Sequence, residues 1–283
     1  MKNRIVLAIT LSILILVAYV YFFEGAGSNI PPLVKEQIDR LSSEYPPMNR
    51  AAAAMALGKL KDSNAVKPLI TTLKKDKDLT VLICAAEALG EIRDARAVDT
   101  LIEVLTKSTD PLLRSAAANA LGEIGDARAV APLVTVLLED KGETNRMCEL
   151  LKLKGVTVKM YVAKALGKIG TPAVKPLITA LKEKDKEVRM YAAMVLGVIR
   201  DTLAVEPLVS TLKDQEKDVR TAALLALGDI KDTRAVEPIM ETLRNGDSDI
   251  QRNAAEAMKK ITRQDYGNDS RKWQDWWEKS KSK

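Results

Sequence analysis

Residues 216–243 read EKDVRTAALLALGDIKDTRAVEPIMETL, and this stretch decides the fold. Val219, Ala222, Ala223, Ala226, Leu227 and Ile230 recur at three- and four-residue spacing, which gathers them on one face of a helix. Gly228 stands near the end of that helix and weakens it. A polar turn containing Asp232 follows. A second helix opens at Ala235-Val236 and carries Pro238 early, where proline suits a first turn and not a helix centre. Neither helix can bury its apolar face alone, so the stretch reads as one unit of a stack.

The unit recurs from about residue 47 to 262. Its register glycines are Gly58, Gly90, Gly122, Gly167, Gly197 and Gly228, at spacings of 32, 32, 45, 30 and 31 residues. A seventh copy places Lys259 where the glycine would stand. Asp78, Asp110 and Asp185 precede the first helices as N-caps would, and Pro111 suits a first helical turn. Asp62, Asp94, Asp126, Asp201 and Asp232 occupy the turn within the hairpins. The second helices open at an Ala-Val pair in six units and bury leucines such as Leu69 and Leu73.

These units resemble HEAT repeats, in the short form named after phycobiliprotein lyases. The shared text is VRxxAAxALGxI followed by D-x-RAV-x-PL, and it covers about three quarters of the chain. The resemblance implies an all-α, right-handed α-solenoid of tandem hairpins. The segment QDYGNDSRKWQDWWEK is similar to a closing segment of bacterial exported HEAT proteins. Trp273, Trp276 and Trp277 fall at helical spacing there, as a cap over the last hairpin, with aromatic ligand recognition as the alternative. The expected organisation is an N-terminal signal-anchor or signal peptide over 1–27, a linker and degenerate capping arm over 28–46, the array over 47–262 with an insertion at 140–156, and a Trp-rich cap and basic tail over 263–283.

Ile5 to Phe23 form 19 uncharged, mostly apolar residues between Lys2, Arg4 and Glu24. A helix of that length rises about 28 Å, enough to cross most of a hydrocarbon core. Charge asymmetry predicts a single-pass anchor with a cytoplasmic N-terminus and the body outside the cytoplasm. Cleavage and secretion is the alternative.

Composition narrows the chemistry. The net charge is +6; residues 1–30 hold +1 and residues 259–283 hold +4, which leaves about +1 for the long middle. A nucleic-acid binder would carry a basic stripe on its folded body, so no nucleic-acid partner is expected. There are no histidines, which removes the commonest metal ligand and general base. Related repeats occur in phycobilin lyases and in deoxyhypusine hydroxylase, a di-iron enzyme that holds its metal with His-Glu pairs. The missing histidines exclude the hydroxylase chemistry. Cys84 takes a small core position, and Cys148 lies more than a repeat away on the insertion, so neither a disulfide nor a metal motif is expected.

Two sets of residues stand out. Arg50, Arg114, Arg189 and Arg220 share one position in the unit, with Lys159 also there and Leu82 and Gln251 as exceptions, and they read as a structural ion-pair ladder. Met160, Met190, Met194 and Leu225 replace polar residues of other units, and Tyr161 and Tyr191 replace an alanine. They form either an open partner-binding patch or one covered by an amphipathic helix of the insertion, bearing Met147, Leu150, Leu151 and Leu153. The expectation is a non-enzymatic scaffold or assembly factor tethered to the membrane, without cofactor or metal, that binds a protein partner. A lyase-like or chromophore-handling role is the alternative.

Overall fold

The computed structural model describes residues 30–140 and 157–281. Among them are fifteen α-helices, six short 3-10 turns and no strand. A leading helix, α1 (Pro32–Asp39), packs on the first hairpin. The hairpins follow as α2 (Pro47–Leu60) with α3 (Val66–Lys75), α4 (Leu79–Ile92) with α5 (Val98–Lys107), and α6 (Pro111–Ile124) with α7 (Val130–Glu139). Beyond the insertion come α8 (Val158–Ile169) with α9 (Val174–Ala180), α10 (Lys186–Ile199) with α11 (Val205–Thr211), and α12 (Lys217–Ile230) with α13 (Val236–Asn245). The last first helix, α14 (Ser248–Thr262), is followed by the closing helix α15 (Ser270–Lys281).

The local chemistry follows the sequence closely. Asp78 and Asp110 each accept two backbone N–H groups at the start of their helices, and Asp185 accepts one. The turn aspartates Asp62, Asp94, Asp126, Asp201 and Asp232 each accept the N–H two residues on, which closes a 3-10 turn leading into the second helix. The Ala-Val pair that opens that helix is buried in all six hairpins.

The register glycine does not end the first helix. The helix stops three residues later, at a left-handed residue: Lys61, Arg93, Gly125, Arg200 or Lys231; in the last unit, with Lys259 in the glycine position, it stops at left-handed Arg263. The glycine instead sets how closely neighbouring first helices approach. A Cβ at Gly58 would lie 2.8 Å from the Ala88 Cα, and one at Gly90, Gly122 or Gly197 would lie 2.7 Å from the Cα of Ala120, Ala165 or Ala226. Glycine on one helix and alanine on the next therefore form a clasp that admits no other side chain. At Gly167 the clasp is absent, because Val195 stands where the alanine belongs and the nearest atom is the Val198 Cγ1 at 3.3 Å.

At the far end, Trp273 is wholly buried and its Nε1 donates to the Gly267 carbonyl at 2.8 Å. Tyr266 and Trp276 meet its ring edge-on, and Trp277 Nε1 donates to Glu237 of α13. The indoles thus cover the last hairpin.

The expectation of a membrane-anchored, single-pass protein is corrected. No helix among the described residues is long and apolar enough to cross a membrane. Residues 5–23, on which that expectation rested, lie outside the described residues, as do the expected insertion helix and Cys148.

The clasp makes a sharp contrast between two glycines. Helical propensity favours alanine over glycine by about 1 kcal/mol, whereas overpacking against a backbone atom costs about 1–3 kcal/mol. Gly90→Ala is expected to lower the urea midpoint, and Gly167→Ala to leave it unchanged or raise it. Equal effects of the two substitutions would refute the clasp.

Candidate functional site

Two rows of side chains run along the array. The first is the ladder. Arg50 forks onto Asp76, with Nε to Oδ2 at 2.7 Å and Nη2 to Oδ1 at 2.8 Å, and its Nη1 donates to the Tyr45 carbonyl. Arg189 repeats the arrangement on Asp214 at 2.7 and 2.9 Å, with Nη1 held by the carbonyls of Glu183 and Lys184. Arg114 reaches Asp140 with one arm at 2.6 Å and the Leu105 carbonyl with another. Lys159, nearly buried, reaches Asp185, the N-cap of α10, at 2.8 Å. Among the described residues, Arg220 donates only to the carbonyls of Asp214 and Gln215. The carboxylates follow the second helix and also brace the next connector: Asp76 accepts the Asp78 N–H, and Asp214 accepts the Glu216 N–H.

Hydrogen bonds from Arg50 hold the Asp76 carboxyl below its ordinary range, against the opposing effect of burial. At Asp214 burial works against ionisation, and the hydrogen bonds from Arg189 and the Glu216 N–H outweigh it.

A further ladder was not foreseen from the sequence. Arg96 forks back onto Asp94 and reaches the Ser63 carbonyl of the preceding hairpin. Arg128 does the same with Asp126 and Ala95, and Arg234 with Asp232 and Thr202. The arginine of the D-x-R-A-V text is therefore an inter-hairpin strut. Pro172 and Leu203 take its place in the fourth and fifth hairpins.

The second row runs along one face of the first helices, buried at Ala51 and Ser115 and exposed at Met55, Met194 and Val198, where positions seven and three before the glycine and one after it form a stripe at four-residue spacing. These positions carry Ala51, Met55 and Lys59 on α2; Ile83, Glu87 and Glu91 on α4; and Ser115, Asn119 and Glu123 on α6. They carry Met160, Lys164 and Lys168 on α8; Met190, Met194 and Val198 on α10; Thr221, Leu225 and Asp229 on α12; and Arg252, Glu256 and Lys260 on α14. Among the seven, α10 alone is apolar at all three positions. Met194 is 48% exposed and Val198 67% exposed, and Met160 and Leu225 are exposed on the neighbouring helices. Met190, Tyr161 and Tyr191 are half-buried and pack against the core. Val198 belongs with this group, and reading all three stripe positions together would have found it.

The other units keep charge on the same face. Glu123 is bonded by Arg93 and Lys168, and Lys260 pairs with Asp229 at 2.9 Å. An open groove of about 630 Å³ lies over α2, α4 and α6, lined by Lys59, Glu87, Glu91 and Asn119 among others. Burial in that groove, and then the Glu91 carboxylate, push the Glu87 carboxyl up. Among the described residues no group of three or more His, Cys, Asp or Glu side chains could hold a metal ion.

Comparison with known proteins fits this geometry. The HEAT-repeats family matches residues 34–111, 85–152 and 174–259, and the PBS lyase HEAT-like repeat matches residues 158–183. No curated protein matches the sequence. The chain is similar in structure to a HEAT-like repeats protein from the archaeon Thermococcus onnurineus NA1, with a TM-score of 0.51 and 16% identity over 82% of this chain and 98% of that one. Importin beta gives a TM-score of 0.57 and 15% identity over 81% of this chain and 35% of that one. The complex of CpcE and CpcF of phycocyanin lyase from Nostoc sp. PCC7120 gives 0.46 and 27% identity over 90% and 98%.

The ladder has a pH signature. A carboxyl held low in the folded state stabilises the fold above its ordinary value of about 4 and loses that contribution as pH falls through the lower folded value. Asp76→Asn is expected to be less stable than the parent near neutral pH, with the gap closing on acidification. Denaturant midpoints measured at neutral pH and well below the ordinary carboxylate value check this; a gap of constant size would contradict it.

Proposed function

The chain belongs to the HEAT-repeat family, and from that premise we propose that it is a non-enzymatic protein-interaction scaffold whose partner seats on α10 and α12. The observation that carries this reading is the stripe Met190, Met194 and Val198, apolar where the other first helices carry at least one polar or charged residue. Leu225 extends it onto α12. Met194 and Val198, exposed at consecutive stripe positions, leave apolar surface in water whose burial by a partner is favourable. Methionine suits this use, because its unbranched, polarisable side chain repacks against varied surfaces.

The missing clasp supports the same place. With Val195 in the alanine position, α10 meets α8 without the Gly–Ala approach seen at the other close contacts. The stripe therefore borders a seam between the fourth and fifth hairpins. Lys164 and Lys168 stand on its α8 side, and the Asp229–Lys260 pair stands beyond Leu225 on the other. The seat is thus an apolar band with charged margins, the usual anatomy of a protein interface.

The test is a photo-crosslinking residue at position 194 in the full-length chain in its native cells, with position 87 as the control. A partner captured from 194 and not from 87 is then purified, and its affinity measured. Met194→Glu and Val198→Glu are each expected to weaken binding about tenfold or more. Unchanged affinity in both variants, or identical capture from the two positions, would remove α10 as the seat.

A further inference from the structure

The ladder contains its own controls. Where Asp76 stands after α3, Asp140 after α7 and Asp214 just beyond α11, the second hairpin has Ser108 and the sixth has Gly246. In the second hairpin the cation is gone as well, since Leu82 occupies its position. In the sixth the cation remains as Arg220 while its carboxylate is missing. No carboxylate among the described residues forms an ion pair with Arg220.

The guanidinium is nevertheless held in the working orientation. Arg189 grips the carbonyls five and six residues before it with Nη1 and forks onto Asp214 with Nε and Nη2. Arg220 grips the carbonyls at the same two offsets, Gln215 and Asp214, with Nη1 at 3.0 and 2.7 Å. The edge made by Nε and Nη2 has no partner among the described residues. Arg220 lines a cleft of about 460 Å³ between α11 and α13 whose walls include Val209, Leu212, Pro238 and Ile250. Both second helices end near this cleft, and α11 is only seven residues long.

We propose that this cleft binds a carboxylate side chain, Asp or Glu, of an extended segment of a partner protein, which forks onto Arg220 as Asp76 forks onto Arg50. A flanking apolar side chain of the segment packs on Val209 and Pro238, the half-exposed apolar walls of the cleft. Arg220 is pre-organised by its carbonyl grips, so little ordering entropy opposes the fork. A doubly charged phosphate fits less well, because Lys213 and Arg220 are matched by Glu241 and Asp247 around the cleft, which leaves no excess positive charge to hold the second phosphate charge. The proposal rests on the scaffold reading only for the source of the carboxylate; it makes no use of α10.

The experiment follows the arginine Nε–H resonances of the full-length protein, with the Arg220 signal identified by its loss in Arg220→Gln. The probes are acetylated, amidated hexapeptide pools with a central Asp between Leu and Val, the same pools with Asn, sodium acetate and inorganic phosphate. The Asp pool is expected to shift the Arg220 signal and to bind about tenfold or more tighter than the Asn pool. Arg220→Gln and Arg220→Lys should each lose most of that preference, because lysine keeps the charge but not the fork. Met194→Glu should leave it intact, which separates failure at this cleft from failure at α10. Equal binding of the Asp and Asn pools, an undiminished preference in Arg220→Gln, or phosphate acting at lower concentration than acetate would overturn the proposal. Should Arg220→Gln fail to fold, the Asp-to-Asn ratio on the parent protein decides alone.

Discussion

A glycine on one first helix stands against the backbone of an alanine on the next, so close at Gly58, Gly90, Gly122 and Gly197 that a Cβ there would lie within 2.8 Å of the alanine Cα. Everything else in the stack follows from that approach. It brings first helices so near that only alanine-sized side chains fit between them, which is why the chain is rich in alanine and poor in aromatic residues. It directs leucine and valine toward the paired second helix, where there is room. It also brings the connectors into register, so that an arginine from one turn reaches a carbonyl of the turn before. Hydrophobic burial supplies the driving force, but the glycine and alanine spacing sets the geometry in which it acts.

Most of this architecture could be read from the sequence because it depends on repetition. A residue such as Asp94 or Gly90 carries little meaning alone, yet in five or six copies at nearly regular spacing on either side of the insertion it marks a turn or a contact. The cap aspartates and the Ala-Val openings were visible in that way, whereas the tryptophan cap, which occurs once, was visible from the helical spacing of its three indoles. What could not be read was the job of the register glycine. Helix propensity treats it as a weak point near a terminus, whereas the neighbouring helix makes it a contact, and only tertiary structure distinguishes the two. The arginine of the turn was equally opaque, since its carbonyl partner lies 33 residues away in the case of Arg96 and Ser63 and a backbone acceptor leaves no mark in a sequence.

The proposed contact surface was legible in part. Met194 and Leu225 were visible as departures from the repeat, and both are exposed. Met190, Tyr161 and Tyr191 were drawn from the same comparison, but they are half-buried and pack on the core. Period alone could not separate them, because a helix of this width leaves its flanking positions partly covered. Val198 was passed over because it sits beyond the glycine, outside the stretch where the substitutions were first compared. The emptied carboxylate position opposite Arg220 shows the opposite case: both residues were in plain view, but their pairing became apparent only when the same fork was seen elsewhere in the chain.

The seam between α8 and α10 lacks two of the three devices that join other neighbours. It has no glycine–alanine clasp, and Leu203 replaces the turn arginine; Lys159 reaching Asp185 bridges it instead. Units joined end to end behave mechanically as springs in series, and an imposed bend concentrates in the softest joint. A load applied to this array would therefore change its curvature chiefly at that joint, with the stiffer hairpins on either side swinging as levers. The pitch of the whole superhelix would then be adjustable from one place, close to the exposed methionines, without any hairpin having to come apart.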